Sequence, residues 1–396
     1  MRAVVIRSFG GPEVLEVADV PAPEAGPGQV RIRVEAAAVN PVDYATRAGI
    51  LAGAGLMTGE GQTGLGWDVA GVIDQVGTNA EAGTGRDGGT GRDGGAGRDG
   101  GAGRDGGAGR ESGAGRESGA GQESGAGQES GAGREGGAGR EGGAGRDGGA
   151  GREGGAGRDG GAGAGVRAFA IGDRVIGLSD RLDLPTKAQA EFVVLDADAV
   201  AVAPGTDLVG ASTLPLNGST ALQALDLLGL DAGQTLLVTG AAGAVGGFAV
   251  ELAVARGLRV VATASNHDEE LVRGMGAEVF VPREAPLAEA VRREVPGGVD
   301  AALDAAIVGI RALDAVRNGG KFIAVVAGVA PPPLRGIDVR NVWVRADDST
   351  LQELSNLATQ GKLTQRVADT LPITEVAEAH RRLEKGGLRG RLVIRP

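Results

Sequence analysis

The sequence predicts an α/β protein in which a β-rich domain is followed by a parallel sheet of βαβ units. Short apolar or alternating runs bounded by glycine fill much of the first 200 residues, a pattern typical of strands. From about residue 208 to 330, strand-like runs alternate with helical stretches, which indicates parallel βαβ units. A long glycine-rich repeat interrupts the strands of the first domain.

The β-rich domain is predicted from strand-like runs on both sides of that repeat. The runs occupy residues 2–7, 13–17, 29–36, 69–76, 174–178 and 190–195. Many short strands with glycine-bounded turns are typical of a partly open barrel. Because residues 72–77 and 166–175 both predict strands, we expect the repeat in a loop of this domain. We therefore assign residues 1–82 and 166–207 to the first domain.

The repeat at residues 83–165 is a low-complexity insertion. It holds thirteen consecutive hexapeptides of the pattern G-[AT]-G-[RQ]-[DE]-[GS], followed by a glycine-alanine tail. Without bulky apolar residues, such a segment buries too little surface to offset its ordering entropy, which predicts a disordered polar coil. A hexapeptide β-helix would need an apolar residue in each turn. Two roles stay open: an expanded repeat without chemistry, and a tether that recruits partners.

A glycine-rich turn predicts a dinucleotide site in the second domain. The apolar run 235–238 predicts a buried strand, and residues 248–256 predict a helix. Glycines in this position let the backbone approach a pyrophosphate, and the helix N-terminus offers free N–H groups. A glycine turn also serves tight packing, but this context favours phosphate binding. The predicted cofactor contacts in the turn are Gly240, Ala242, Gly243, Ala244, Val245 and Gly246.

The end of the next strand predicts which cofactor is preferred. Strand 259–264 leads into Ser265, Asn266 and His267. NAD sites place an acidic residue about 20 positions beyond the glycine turn, where it binds the ribose 2′-OH. Ser265 stands at that distance, and the three side chains offer donors to a 2′-phosphate, which a carboxylate would repel. NADP is therefore the predicted cofactor, and NAD stays open because two acidic residues follow directly.

The remaining segments complete the two domains. Further strands are predicted at about 278–281, 299–303 and 321–327, so that residues 208–335 form a Rossmann NADP-binding domain. The C-terminal segment, residues 336–396, is expected to add pieces to both domains. Its predicted elements are a strand at 342–344, helices near 349–360 and 375–385, and a final strand at 390–394.

Composition excludes several classes of protein. The chain has 396 residues, a net charge of −11 and 41% hydrophobic residues, which predicts a sizeable core and no nucleic-acid-binding surface. It has no cysteine and two histidines far apart, so we expect no disulfide, no thiolate nucleophile and no zinc site. The N-terminus differs from a signal peptide, and no apolar run is long enough to span a bilayer. We expect a soluble cytoplasmic protein without a membrane partner.

The order of the motifs resembles the medium-chain dehydrogenase/reductase superfamily, in its zinc-independent, zeta-crystallin-like quinone oxidoreductase branch. The matching stretches are residues 40–49, 64–73, 172–177 and 214–221, the glycine turn, Val299-Asp300, Gly319-Gly320 and residues 390–393. They cover essentially the whole chain apart from the insertion. Their order and spacing are more specific than any one of them.

This resemblance implies a GroES-like catalytic domain and a Rossmann domain with the active site in the cleft between them. It implies hydride transfer from NADPH to a quinone or an α,β-unsaturated carbonyl without a metal ion. It also implies a homodimer formed through an edge strand of the Rossmann sheet. One departure is that the branch often places a lysine after the second Rossmann strand and a tyrosine after the third. Here the nearest candidates are His267 and the Pro282-Arg283 pair.

Three residues of the segment 40–49 are candidate catalytic groups. Reduction of a conjugated carbon leaves an anion that needs hydrogen-bond donors and finally a proton. Tyr44 is the candidate proton donor, with a packing role as the alternative. Asn40 is a candidate ligand of the cofactor's ribose or nicotinamide, or else a turn cap. Arg47 is a candidate for attracting phosphates or polarising a carbonyl, or else a solvated surface arginine.

Two further residues are candidates for the reacting end of the site. Trp67 is expected to line the substrate pocket, with a buried structural role as the alternative. Thr220, at the start of a predicted helix 220–228, resembles a position near the nicotinamide, or else it caps that helix.

Two other functions stay open beside quinone or enone reduction. One is alcohol or aldehyde oxidoreduction, or a biosynthetic tailoring reduction, for which the chain lacks the usual zinc ion. The other is a non-catalytic NADPH-binding protein in which the repeat mediates interactions.

Overall fold

The computed structural model describes residues 1–58, 61–78, 169–205 and 207–396. The predicted insertion, residues 83–165, lies outside the described residues, and its coil conformation stays a prediction. The helices are α1 (Pro41–Arg47), α2 (Ile50–Gly53), α3 (Leu208–Ala211), α4 (Pro215–Leu228), α5 (Ala244–Ala255), α6 (Glu269–Gly274), α7 (Leu287–Glu294), α8 (Ile310–Leu313), α9 (Asp348–Thr359) and α10 (Val376–Lys385).

The strands form three sheets. In chain order they are β1 (Arg2–Ile6), β2 (Glu16–Asp19), β3 (Gln29–Val39), β4 (Thr63–Gly64), β5 (Asp68–Val76), β6 (Arg174–Leu178), β7 (Phe192–Asp196), β8 (Val200–Val202), β9 (Thr235–Thr239), β10 (Arg259–Ala264), β11 (Val279–Pro282), β12 (Val299–Asp304), β13 (Val316–Ala324), β14 (Asp338–Asn341), β15 (Val367–Pro372) and β16 (Arg391–Arg395). The predicted β-rich and parallel-sheet parts are both present.

The first domain is built around the long strand β3. The larger of its two sheets has the order β15-β16-β3-β5-β6-β8, with β7 also paired to β3, and a smaller sheet has the order β2-β1-β4. The pairing of β3 with β5 shifts register between Arg31 and Ile32 and again between Val34 and Ala36. Such irregularities bend a strand, which lets β3 pair with β5, β7 and β16 in turn. This confirms the GroES-like, β-rich architecture.

The second domain is a parallel six-stranded sheet. Its strand order is β11-β10-β9-β12-β13-β14, and each pair of neighbouring strands is parallel. The chain runs outward from β9 to one edge and then returns to continue outward from β12 to the other. This reversal marks the switch point of a Rossmann sheet, where ligands bind beyond the carboxyl ends of the strands.

The C-terminal segment contributes to both domains. β14 forms an edge of the parallel sheet, whereas β15 and β16 join the sheet of the first domain. The strand predicted at 342–344 differs from the structure, because β14 covers residues 338–341. The alternating charged residues of β14 are typical of an edge strand. The strand was not predicted because it lacks the apolar residues by which strands were recognised in the sequence. In the part of the chain that is described, no helix is both long and apolar enough to cross a membrane.

Candidate active site and nicotinamide site

The glycine turn is fixed by backbone geometry. Gly240 follows β9 with a φ of +62°, a conformation that favours glycine. A Cβ added to Gly246 would stand 2.2 Å from the carbonyl oxygen of Gly240. Gly243 is the N-cap residue of α5 and contributes no capping side chain. The first turn of α5 therefore presents N–H groups that are suited to an anion.

A cleft of about 830 Å³ opens at the carboxyl ends of the parallel strands. Five predicted cofactor residues line it: Gly240, Ala242, Gly243, Ser265 and His267. The other residues predicted here are outside its lining: Ala244 and Gly246 are buried in α5, Val245 is half-buried, and Asn266 is exposed. The cleft thus joins the glycine turn to the end of β10, as a dinucleotide requires.

The groups around the cleft fit a nicotinamide dinucleotide. The hydroxyl of Thr263 lies in the lining, is buried, and has no hydrogen-bond partner within the described ranges. A buried polar atom of this kind costs free energy unless a ligand or water completes its hydrogen bonding. The absence of a Cβ at Gly246 lets the first turn of α5 pack closely against the backbone of Gly240, which holds the helix N-terminus at the glycine turn.

Cationic side chains surround the outer end of the cleft. Arg389 Nε lies 2.6 Å from Asp268 Oδ1, and its guanidinium also donates to the backbone oxygen of His267 at 3.3 Å. Arg283 lines the same end. Ser265 Oγ stands 3.5 Å from His267 Nδ1. Sequence reasoning missed Arg389 because it comes from the loop between α10 and β16, remote in sequence from β10.

Asn40 is a buried junction of hydrogen bonds. It precedes α1, and its backbone N–H donates to Asp43 Oδ2 at 2.8 Å, as in a capping box. Its Nδ2 donates to Asp68 Oδ2 at 2.6 Å, and its Oδ1 accepts from Asn217 Nδ2 at 3.0 Å. The structure therefore gives the side chain of Asn40 protein partners on both of its polar atoms. A contact with the cofactor stays a prediction.

Tyr44 and Arg47 lie on α1 and outside the cleft lining. Tyr44 is exposed, and the guanidinium of Arg47 lies 5.4 Å from the centre of its ring. Arg47 is only 1% exposed, donates to the carbonyl oxygen of Gly10 at 2.6 Å and forms an ion pair with Glu384. The alternative of a solvated surface arginine does not describe it. Its guanidinium joins α1 to α10.

Trp67 and Thr220 belong to the core shared by the two domains. Trp67 is buried, and Lys187 Nζ lies 4.1 Å from the centre of its ring. Thr220 is buried in α4, where its hydroxyl donates to the backbone oxygen of Leu216 at 2.6 Å. The helix begins at Pro215, earlier than predicted, because proline is favoured in the first turn. Thr220 is therefore not a helix cap.

The sequence analysis missed four charged residues near these positions, of which three are buried and Arg391 is half-buried. Burial raises the pKa of Asp43 to about 6 and that of Asp68 to about 7. Burial also lowers the pKa of Lys187 to about 8 and that of Arg391 to about 10. Three of the four stand in segments that carried the family resemblance, but nothing in a single sequence marks a charged side chain as buried.

Metal-ligating side chains do not cluster in the described ranges. No group of three or more histidine, aspartate or glutamate residues there stands close enough to hold a metal ion. The chain has no cysteine. His380 is fully buried and His267 is exposed at the cleft.

Two family models match the chain. The model for the alcohol dehydrogenase GroES-like domain matches residues 26–87, and the model for zinc-binding dehydrogenase matches residues 275–394. A quinone oxidoreductase from Coxiella burnetii is similar in structure, with a TM-score of 0.70 and 24% identity, covering 100% of this chain and 99% of that one. The architecture of both domains is therefore shared with proteins of this kind.

Two of the curated relatives are a reductase and an oxidoreductase of plants. The 2-methylene-furan-3-one reductase of Solanum lycopersicum is 28% identical over 240 residues, which cover 58% of this chain and 59% of that protein. The chloroplastic NADPH-dependent alkenal/one oxidoreductase of Arabidopsis thaliana is 30% identical over 212 residues, 52% of each chain. The chain thus spans between about half and three-fifths of the length of these relatives.

A GroES-like domain and a Rossmann domain with a cleft at the strand ends form the architecture of the proteins that the chain matches, and the cleft fits a nicotinamide cofactor. The chain is similar to medium-chain dehydrogenases/reductases in both domains, and the matches support the quinone oxidoreductase branch of that superfamily.

Proposed function

We propose that the protein transfers hydride from NADPH to a quinone or an α,β-unsaturated carbonyl and uses no catalytic zinc ion. The observation that carries the proposal is the cleft at the carboxyl ends of the parallel strands. The glycine turn lines one part of this cleft, and Ser265, Arg283 and Arg389 line its outer end. The names of the curated relatives, an alkenal/one oxidoreductase and a furanone reductase, support the acceptor class.

Preference for NADPH is supported by the charges at the end of β10. Ser265 occupies the place where an NAD site carries a carboxylate. Arg389 is held there by Asp268, so a guanidinium is already present where a 2′-phosphate would arrive. Arginine binds phosphate oxygens in a bidentate geometry, which makes such a contact strong. Asp268 opposes the phosphate, and its ion pair with Arg389 reduces that repulsion.

Independence from zinc is supported by the donors that the chain offers. Catalytic zinc is held by histidine, cysteine and carboxylate ligands. The residues matched by the zinc-binding dehydrogenase model include one histidine, His380. Its ring is buried next to Arg47, and burial together with the charge of Arg47 lowers the pKa of the imidazole to about 4. A cationic neighbour is unfavourable for a second cation.

The residues of this chain would act by binding, orientation and proton supply. NADPH supplies the hydride when it is bound. The glycine turn and α5 hold the pyrophosphate, and the outer arginines hold the 2′-phosphate. Tyr44, exposed on α1, or a water molecule provides the proton that the reduced acceptor needs. Positioning supplies most of the acceleration, because the hydride chemistry belongs to the cofactor.

The test is oxidation of NADPH and, separately, of NADH over a panel of ortho-quinones, para-quinones and enones. We expect acceptor-dependent oxidation with a higher kcat/KM for NADPH, unchanged by a chelator. Tight NADPH binding without turnover on any acceptor would contradict the proposal and favour a non-catalytic binding protein. Loss of activity with the chelator, restored by zinc, would contradict only the metal-independent part.

We also propose that the protein forms a homodimer through β14. This strand is an edge of the parallel sheet, so its outer backbone groups are available for pairing. Trp343 follows it closely and is 64% exposed, which is unusual for a tryptophan.

A further inference from the structure

A chain of buried hydrogen bonds joins the first domain to helix α4. Arg391 on β16 donates to Asn217 Oδ1, with Nε at 3.2 Å. Asn217 Nδ2 donates to Asn40 Oδ1 at 3.0 Å, and Asn40 Nδ2 donates to Asp68 Oδ2 at 2.6 Å. The backbone N–H of Leu216 donates to Asp68 Oδ1. The chain of bonds therefore begins at Arg391 in the first domain and ends at Leu216 on α4, and it includes two residues of the first turn of α4.

Asp68 replaces the missing cap of α4. The N-cap residue, Leu214, has helical φ and ψ angles and no side-chain oxygen to accept a helix N–H. The carboxylate of Asp68, from β5 of the other domain, accepts the N–H of Leu216 instead. A negative charge at a helix N-terminus also interacts favourably with the helix dipole. The start of α4 is thus held by a residue that lies far away in sequence.

We infer that Asp68 is a positioning residue whose ionised carboxylate fixes the first turn of α4 against the catalytic domain and thereby sets the shape of the nucleotide cleft. Both of its oxygens face donors, the amide of Asn40 and the N–H of Leu216. A proton on either oxygen would lie beside an N–H group and would weaken that oxygen as an acceptor. The ionised form is therefore the better acceptor for both neighbours.

The charged groups that face Asp68 come from several elements. Arg391 on β16 favours the ionised form, whereas Asp43 on α1 opposes it. Lys187 faces Asp43, and the first turn of α4 carries no charged side chain. Burial raises the pKa of Asp68 to about 7, and its hydrogen bonds and Arg391 limit that rise. The bonds are therefore complete above neutral pH and are lost progressively below it.

Helix α4 transmits its position to the cleft through α5. The two helices pack against each other along the core of the parallel sheet. The glycine turn, which lines the cleft, leads directly into the first turn of α5. A shift of α4 would therefore reach the cleft through α5 and the glycine turn that precedes α5.

The test compares Asp68→Asn with Asp74→Asn, a control on the same strand whose carboxylate pairs with Arg31 nearer the surface. NADPH affinity is measured by calorimetry and amide protection of residues 215–220 by hydrogen exchange, both between pH 6 and 9. The asparagine side chain has one oxygen that accepts and one NH₂ group that donates, whereas both oxygens of Asp68 accept. The variant therefore loses one of the two hydrogen bonds that the carboxylate makes. We expect roughly tenfold weaker binding and roughly tenfold lower protection at pH 8.5.

Wild-type protein and the control should show the same losses when the pH is lowered to 6, whereas Asp68→Asn should change little with pH. Two results would overturn the inference. One is that Asp68→Asn has the NADPH affinity and amide protection of the wild type at pH 8.5. The other is that these two quantities still fall in Asp68→Asn when the pH is lowered. If the variant does not fold, the wild-type exchange series decides alone: protection of 215–220 that does not fall with acid would overturn it. Neither measurement uses an electron acceptor, so failure of the proposed reaction is a separate outcome.

Discussion

At the scale of single residues, Ser265 is the clearest determinant of cofactor preference. Its hydroxyl stands where a carboxylate would select NAD, and Arg389 lies at the same end of the cleft. We expect Ser265→Asp to weaken NADPH binding by about tenfold or more, because like charges brought together cost several kcal/mol. NADH binding should be kept or improved. The measurement is kcat/KM for both cofactors.

Arg389→Met should raise the KM for NADPH and leave that for NADH unchanged, because NADH has no 2′-phosphate. Arg381→Met is a suitable control, since Arg381 is an exposed arginine on α10 that pairs with Glu378. Equal losses for both cofactors in Arg389→Met would contradict a role in recognising the 2′-phosphate.

His380 makes stability depend on pH in the acid range. Burial and then the charge of Arg47 lower its pKa from 6.5 to about 4 in the folded protein. The unfolded chain therefore takes up this proton at higher pH than the folded one. The contribution of His380 is present in full above about pH 6.5 and is lost as the pH falls toward 4, by on the order of 3 kcal/mol.

We expect His380→Leu to remove this acid dependence, because leucine takes up no proton. The substitution breaks no hydrogen bond, since neither ring nitrogen has a hydrogen-bond partner among the described residues. The measurement is the free energy of unfolding in urea at several pH values, taken as the difference between variant and wild type. His267→Leu, at the exposed histidine, serves as the control and should keep the wild-type slope. A slope retained in His380→Leu would show that other groups cause the acid loss.

At the scale of elements, the glycine turn and α5 act as one unit. A Cβ at Gly246 would meet the carbonyl oxygen of Gly240 at 2.2 Å, so the backbone would have to move. We expect Gly246→Ala to cost about 1–3 kcal/mol of stability and to weaken NADPH binding more than tenfold. Gly274→Ala is the matched control, since a Cβ there meets nothing within 4 Å on helix α6. It should be neutral or slightly stabilising.

The same elements show what a sequence can and cannot predict. The glycine turn was predicted because its pattern is local: a strand, glycines and a helix follow one another within residues 235–256. The role of Asp68 was not predicted, because its partners Asn40 and Leu216 and the linked residue Arg391 come from three separate parts of the chain. Burial of these charges is a property of the packed domains, which no local pattern encodes.

At the scale of the whole molecule, the insertion joins two neighbouring strands. β5 and β6 are antiparallel partners, with Val72 opposite Arg174. Since such strands can be joined by a short turn, we expect deletion of residues 83–165 to leave the fold, the melting temperature and NADPH affinity nearly unchanged. The measurements are thermal unfolding and calorimetry on the shortened and full chains. Loss of turnover in the shortened chain with affinity retained would favour a functional role for the repeat.

The proposed dimer can be tested at its most exposed aromatic residue. A tryptophan that is 64% exposed beside an edge strand loses unfavourable contact with water when a second copy covers it. We expect wild-type protein to have the mass of a dimer by light scattering and Trp343→Lys to weaken association at least tenfold, because a buried unpaired charge is costly. Ile171→Lys is the control, since Ile171 is 72% exposed in the turn before β6, away from β14. A monomeric wild type, or equal effects of both substitutions, would contradict pairing through β14.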